Sequence, residues 1–198
     1  MGSNKVIFAG HGGELAARLD MPQGEPRACA LFAHCFTCSK DIAAARAIAQ
    51  TLADLGIAVL RFDFTGLGHS AGEFSNTNFS SNVMDLVAAA DFMRENIGAP
   101  QILIGHSLGG AAVIAAAARI PESEAVVTIG APADPSHVLG SMHASLETIE
   151  KEGSAQVTLA GRSFEITRQF VEDISMSNIR DALGDLGKAL LVLHAPGD

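Results

Sequence analysis

Continuous apolar runs alternate with segments whose apolar residues recur every three or four positions. The runs that predict buried strands cover residues 28–33, 57–62, 102–104, 125–129 and 189–193. The segments with helical spacing cover residues 42–55, 83–97 and 110–120. Gly56 ends the first helix, and Ser81 or Asn82 is expected to cap the second. Strands alternating with helices predict an α/β fold of three layers around a mostly parallel sheet.

Two further segments depart from this alternation. Residues 6–19 predict two strands around His11-Gly-Gly13, which form an antiparallel hairpin at the sheet edge. Residues 132–188 are longer than a crossover requires, with a helical pattern over 137–151 and a hairpin over 155–166. We call residues 132–188 the insertion and expect a small lid that shapes a pocket within one domain, 1–198.

Composition narrows the classes of partner. The chain has 198 residues, 48% of them hydrophobic, which suits one domain with a sizeable core. A net charge of −9 argues against a nucleic-acid surface. The absence of a long apolar span and of a leader-like start predicts a cytoplasmic protein that does not enter a membrane.

The pentapeptide Gly105-His-Ser-Leu-Gly109 stands between a predicted strand and a predicted helix. Gly-x-Ser-x-Gly at such a junction resembles the nucleophile elbow of the α/β-hydrolases, whose sharp turn exposes the serine hydroxyl. The resemblance makes Ser107 the candidate nucleophile. It also makes the backbone N–H of Leu108, at the positive end of the helix, one donor of an oxyanion hole.

The loop after strand 28–33 reads His34-Cys-Phe-Thr37 and resembles the family's His-Gly-x oxyanion segment, with Cys35 in place of glycine. By that match the Phe36 N–H is the second oxyanion donor. We expect His34 to be a structural histidine that holds this loop.

The loop Asp63-Phe-Thr-Gly-Leu-Gly-His-Ser70 resembles one found in many α/β-hydrolases and also fits the dinucleotide pattern Gly-x-Gly-x-x-Ala. That pattern requires a helix to open inside it, whereas Gly72 and the residues after it read as loop. We therefore predict a brace for the site and no nucleotide cofactor.

The family order is serine, acid, histidine. Asp198, which follows the apolar run 189–193, is the predicted acid, and Asp134, after the run 125–129, is the alternative. All histidines precede Asp198, so the catalytic histidine is expected beyond residue 198 and the domain is expected to be incomplete at its C-terminus. The histidines are His11, His34, His69, His106, His137, His143 and His194.

The cysteines cluster at Cys29, Cys35 and Cys38. An odd number without a leader-like start argues against a disulfide framework, and zinc would require further ligands. The sequence favours ordinary reduced thiols and no metal, with a redox role for the Cys-x-x-Cys pair as the alternative.

The segments 31–41, 61–70 and 104–112 together resemble the hydrolase half of bacterial proteins in which an α/β-hydrolase precedes an OsmC-type peroxide-reducing domain. The resemblance implies a serine esterase acting on a small acyl substrate. The alternatives are a non-catalytic module serving a fused OsmC-type domain and a thiol-based redox protein. A sheet edge left open by truncation also suggests a homodimer.

Overall fold

The computed structural model describes residues 2–196. Its strands are β1 (Gly2–Ala9), β2 (Glu14–Met21), β3 (Ala28–Ala33), β4 (Ile57–Phe62), β5 (Ile102–His106), β6 (Ala125–Ile129), β7 (Ser154–Leu159), β8 (Arg162–Thr167) and β9 (Ala189–Leu193). Its α-helices are α1 (Ala43–Asp54), α2 (Phe79–Asn96), α3 (Leu108–Ala116), α4 (His143–Glu152), α5 (Arg168–Met176) and α6 (Ile179–Gly184). Short 3-10 helices cover Phe74–Asn76, Ala117–Arg119 and Pro135–Met142.

A seven-stranded sheet with the order β1-β2-β4-β3-β5-β6-β9 forms the centre of the molecule. β3 pairs in parallel with β4 and β5, and β6 pairs in parallel with β5 and β9. β1 and β2 form the expected antiparallel hairpin, with β1 at one edge. The predicted α/β fold and its mostly parallel sheet are confirmed.

The two faces of the sheet are covered by different helices. Ala30 and Phe32 of β3 pack with Ala45 and Ala49 of α1, because successive strand residues point to opposite faces. Leu31, between them, belongs to the larger core formed with α2 and α3. The result is the predicted three-layer arrangement of helix, sheet and helix.

The start of α2 differs from the sequence expectation. The cap is Asn78, three or four residues before the predicted position. Its side chain accepts a hydrogen bond from Ser81 N, and the Ser81 hydroxyl accepts one from Asn78 N. This reciprocal pair is a capping box, in which a serine stands where glutamate or glutamine is usual.

The insertion contains the predicted hairpin, formed by β7 and β8 with a turn at Ala160 and Gly161. It also contains α5 and α6, which the sequence pattern did not indicate. The Asp173 carboxylate of α5 accepts hydrogen bonds from Ser80 N (2.8 Å) and the Ser80 hydroxyl (2.6 Å), which ties the insertion to α2. Within residues 2–196, no helix combines the length and apolar character needed to cross a bilayer.

Candidate active site

Ser107 lies at the tight turn between β5 and α3. Its backbone has φ 53° and ψ −126°, a conformation that is rare for a residue with a Cβ atom. Ser107 N donates a hydrogen bond to the Ile129 carbonyl of β6 at 2.8 Å, and the side chain is half-buried. The turn therefore has the backbone geometry of a nucleophile elbow.

The glycines on either side of Ser107 allow close approach of two backbone segments. A Cβ atom at Gly105 would overlap the backbone of Gly109. A Cβ atom at Gly109 would overlap the carbonyl of His34, in the loop after β3. These two positions therefore require glycine, and the contact at Gly109 brings the loop after β3 against the first turn of α3.

The loop after β3 forms a tight turn from Cys35 to Cys38. The Cys35 carbonyl accepts a hydrogen bond from Cys38 N at 3.1 Å and lies 2.7 Å from His34 Nδ1. That carbonyl and the Phe36 N–H belong to the same planar peptide group, so both contacts fix the direction of the Phe36 N–H. Phe36 and Leu108 line one small cavity of about 10 Å³.

His34 is completely buried and acts as a structural residue, as predicted. A carbonyl oxygen can only accept, so Nδ1 carries the proton and Nε2 accepts the Phe64 N–H at 3.4 Å. Burial lowers the pKa of His34, which favours the neutral imidazole, and the Cys35 carbonyl keeps the proton on Nδ1. His34 therefore orients the peptide that carries the Phe36 amide.

A buried ion pair joins the loops that follow β3 and β4. Lys40 Nζ lies 2.6 Å from the Asp63 carboxylate, which also accepts hydrogen bonds from Lys40 N (2.6 Å) and His69 N (2.9 Å). No helix begins within residues 63–73 around Gly66, and a short 3-10 helix follows at Phe74–Asn76, within the segment that was predicted to be loop. Asp63 thus braces the site.

The insertion reaches the same turn through aromatic rings. Phe36 packs against Phe170 of α5 at 5.1 Å and against Phe74 at 5.3 Å between ring centroids. Phe74 in turn contacts Phe164 of β8 at 4.9 Å. The sequence did not reveal these partners, since the contacting residues lie far apart along the chain and no local pattern connects them.

The two candidate acids have different positions. Asp134 is exposed and caps the 3-10 helix at Pro135–Met142, where hydrogen bonds from Ser136 lower its pKa. Asp198, the preferred acid, lies outside the described residues. β9, which precedes it, pairs with β6, and the Leu193 carbonyl accepts a hydrogen bond from Gly130 N at 2.8 Å.

The loop histidines His34 and His69 contact residues other than Ser107. His34 is held by Cys35 and Phe64, and His69 lies 3.2 Å from Lys40 Nζ through its Nδ1. His137 and His143 are exposed in the insertion. The general base therefore stays a prediction, as do the roles of Ser107, Phe36, Leu108 and Asp198.

The expectation of reduced thiols is wrong for Cys35 and Cys38, which form a disulfide in the structure. Their Cα atoms are 5.2 Å apart because the residues are the two ends of one tight turn, and this separation is within the range that a disulfide spans. Cys29 is free and buried in β3, and burial raises the pKa of its thiol.

Residues 24–160 match the family model described as serine aminopeptidase, S33. The chain belongs to this family of α/β-hydrolases. A solved structure of the esterase domain of a Rhodothermus marinus protein is 45% identical, with a TM-score of 0.75 over 99% of this chain and 77% of that one. Est1E from Butyrivibrio proteoclasticus, solved with ferulic acid, has a TM-score of 0.80 over 96% of this chain and 78% of that one, at 22% identity, and shows the shared fold.

Two curated relatives have names that state an activity on acyl compounds. The mitochondrial palmitoyl-protein thioesterase ABHD10 of Rattus norvegicus is 32% identical over 106 residues, which are 54% of this chain and 34% of the relative. The monoacylglycerol lipase of Mycolicibacterium smegmatis is 28% identical over 135 residues, 66% of this chain and 47% of the lipase. The chain thus matches from a third to a half of the length of these relatives.

Proposed function

We propose that the chain is a serine hydrolase that cleaves ester or related acyl bonds through an acyl-enzyme on Ser107. The observation that carries the proposal is the Ser107 backbone at φ 53°, which holds the serine at the turn into α3 beside the Phe36 loop. The related thioesterase, lipase and esterase support acyl bonds as the substrate class.

The proposal implies the following steps. The Ser107 hydroxyl loses its proton to a histidine base and attacks the acyl carbonyl. The Phe36 and Leu108 amides donate hydrogen bonds to the oxyanion that forms. The alcohol or thiol departs with the proton held by the histidine, and water then hydrolyses the acyl-enzyme by the same route.

Asp198 would orient the histidine, which the family order places after it. Without this histidine we expect slow turnover, because the oxyanion hole and substrate binding still accelerate the reaction when one member of a triad is absent. A chain that contains it should turn over ester substrates much faster.

The insertion makes the surroundings of the predicted oxyanion donors apolar. It places the buried rings of Phe164 and Phe170 in the aromatic cluster around Phe36. We therefore propose an apolar acyl group, since each methylene group removed from water contributes roughly 0.8 kcal/mol. A series of p-nitrophenyl esters of increasing chain length measures this preference.

The test is reaction with a fluorophosphonate followed by intact-mass analysis and peptide mapping. We expect one adduct, on Ser107, formed faster in a chain extended past Asp198 and missing in Ser107→Ala. Ser80→Ala is the matched control, because Ser80 is exposed and bonds to Asp173 in α5. An extended chain without an adduct, or with the adduct on another residue, would contradict the proposal.

A further inference from the structure

The Cys35–Cys38 disulfide closes a covalent ring that includes the backbone of Phe36. The proposed function assigns the amide of Phe36 to the oxyanion. Within this ring the Cys35 carbonyl is already held by Cys38 N and His34 Nδ1. The covalent bond adds a third restraint on the peptide that carries the Phe36 N–H. The oxidation state of two cysteines is therefore coupled to the position of a predicted catalytic donor.

His106, directly before Ser107, lies beside the disulfide. A ring nitrogen of His106 is within 4.8 Å of both sulfur atoms. Its Nδ1 is buried and has no hydrogen-bond partner among residues 2–196. A disulfide sulfur has no proton to donate to a neighbouring ring nitrogen, whereas a thiol has one and a thiolate accepts one.

Reduction would thus create a hydrogen bond that the oxidised state lacks, between the oxyanion loop and the elbow. Such a contact, made in only one of two states, is what shifts an equilibrium between conformations. It would draw a sulfur toward His106, and with it the turn that carries Phe36. The two oxidation states therefore favour different positions of the turn.

We propose that Cys35 and Cys38 are a thiol–disulfide exchange site that controls acyl transfer at Ser107, the disulfide being the active state. The inference rests on the proposed function of Ser107 and Phe36. The co-reactant is a dithiol reductant. Cys38 is half-buried and is the sulfur we expect an external thiolate to attack.

The exchange balances in two steps. The reductant's thiolate bonds to Cys38 Sγ, the Cys35–Cys38 bond breaks, and Cys35 leaves as a thiolate that takes up a proton. The second thiol of the reductant then attacks the mixed disulfide, which releases Cys38 as a thiol and the reductant as a cyclic disulfide. Two electrons and two protons pass to the protein.

Reduction is expected to slow acyl transfer for two reasons. The turn loses its covalent restraint, and any thiolate that forms places negative charge beside the developing oxyanion. Loss of one oxyanion donor costs about 100- to 1000-fold in kcat, and the retained hydrogen bonds of the turn limit the effect here to about tenfold. KM should change little, because the substrate's ground state does not require the oxyanion contact.

The test measures two quantities on the same samples, in a chain extended past Asp198. One is the rate of Ser107 labelling by a fluorophosphonate, together with kcat for a p-nitrophenyl ester. The other is the number of alkylated thiols at Cys35 and Cys38, located by mass. Samples are reduced with dithiothreitol, desalted so that no reductant cleaves the ester, and then assayed before and after reoxidation.

We expect the Ser107 labelling rate and kcat to be about tenfold lower in the samples whose Cys35 and Cys38 are present as free thiols. Both should recover on reoxidation. The doubly substituted Cys35→Ser, Cys38→Ser chain should have a low rate that no reductant changes. Cys29→Ala keeps the disulfide and should respond like the unsubstituted chain. Reduction and reoxidation can be compared on the unsubstituted chain alone, so the test holds even if the double variant misfolds.

Three results would overturn the inference. The first is equal Ser107 labelling in both states while the cysteines titrate, which leaves the proposed function intact. The second is free Cys35 and Cys38 thiols in the chain after exposure to an oxidant. The third is a lack of Ser107 labelling in either state, which removes the proposed function and the inference together.

Discussion

Ser107 combines a strained backbone with a chemical task. A residue with a Cβ atom in this region of φ and ψ costs on the order of 1–3 kcal/mol. The surrounding structure imposes the conformation: Ile129 of β6 accepts the Ser107 N–H, and the Ser107 carbonyl accepts Gly110 N at the start of α3. The strain holds the hydroxyl at the turn rather than in the core.

This strain leads to a testable ranking of two inactive variants. Ser107→Gly removes the strain caused by the Cβ atom, which stabilises the folded state. The greater conformational freedom of glycine in the unfolded chain offsets part of this stabilisation. We expect it to be about 1 kcal/mol more stable to urea than Ser107→Ala. At Ser175, an exposed position within α5, the same two substitutions should rank in the opposite order, because glycine disfavours an ordinary helix.

If Ser107→Gly were no more stable than Ser107→Ala in urea unfolding, the turn would not be strained. The Ser175 pair controls for the general cost of glycine in this chain.

Helix α2 is joined to the segment before β6 by an ion pair at the end of the sheet away from Ser107. Arg94 Nε lies 2.6 Å and Nη2 2.8 Å from the two carboxylate oxygens of Glu122. The two parallel hydrogen bonds from the guanidinium lower the pKa of Glu122 from 4.5 to about 2. The pair is partly exposed, so salt should weaken it.

The lowered pKa of Glu122 predicts a pH dependence with a definite sign. As the pH falls from about 4.5 to about 2, the unfolded chain takes up the proton first, so stability that is fully present above this window is lost within it. Arg94→Gln should therefore flatten the decline of the urea midpoint over that window. Glu122→Gln should flatten it as well. Arg94→Gln also removes the contact of Arg94 with Asp91, so the double variant should lose no more than Arg94→Gln alone.

If the urea midpoint of both single variants declined with falling pH as it does in the unsubstituted chain, the acid sensitivity would belong to other carboxylates. A high-salt repeat separates the direct hydrogen bonds from long-range attraction, because salt screens the second more strongly.

β9 leaves apolar side chains open at one edge of the molecule. Leu191 is 53% and Val192 57% exposed, and consecutive strand residues point to opposite faces. Both faces of the sheet are therefore open at this edge. An apolar edge strand of this kind can pair with another chain.

We accordingly predict that residues 1–198 self-associate through β9. Sedimentation should show a concentration-dependent shift toward the dimer, and Val192→Lys should return the chain to the monomer, because an edge lysine opposes strand pairing. Ile7→Lys, at the opposite edge on β1, is the matched control, since Ile7 is 63% exposed and should not affect the association. A monomer at every concentration measured would refute the prediction.

Local pattern predicted most of the fold. The bounds of β3, β4, β6 and β9 follow the apolar runs. β3 and β4 are buried on both faces, which leaves few positions for polar residues. The start of α2 was misplaced, since Asn78 and Ser81 resemble loop residues until their mutual capping is seen. α5 and α6 were missed because they have only 9 and 6 residues, which is too short for the apolar spacing to repeat over several turns.

By itself the sequence determined the order of strands and helices, the family and the candidate nucleophile. Each of these depends on residue types at fixed short spacings, such as the glycines on either side of Ser107. Only the tertiary structure decided that Cys35 and Cys38 are bonded, that Lys40 pairs with Asp63, and that rings from the insertion contact Phe36. The latter two contacts join residues far apart in the chain, and the disulfide depends on a turn shaped by the loop's surroundings. Their free energies therefore depend on packing and burial that no local pattern contains.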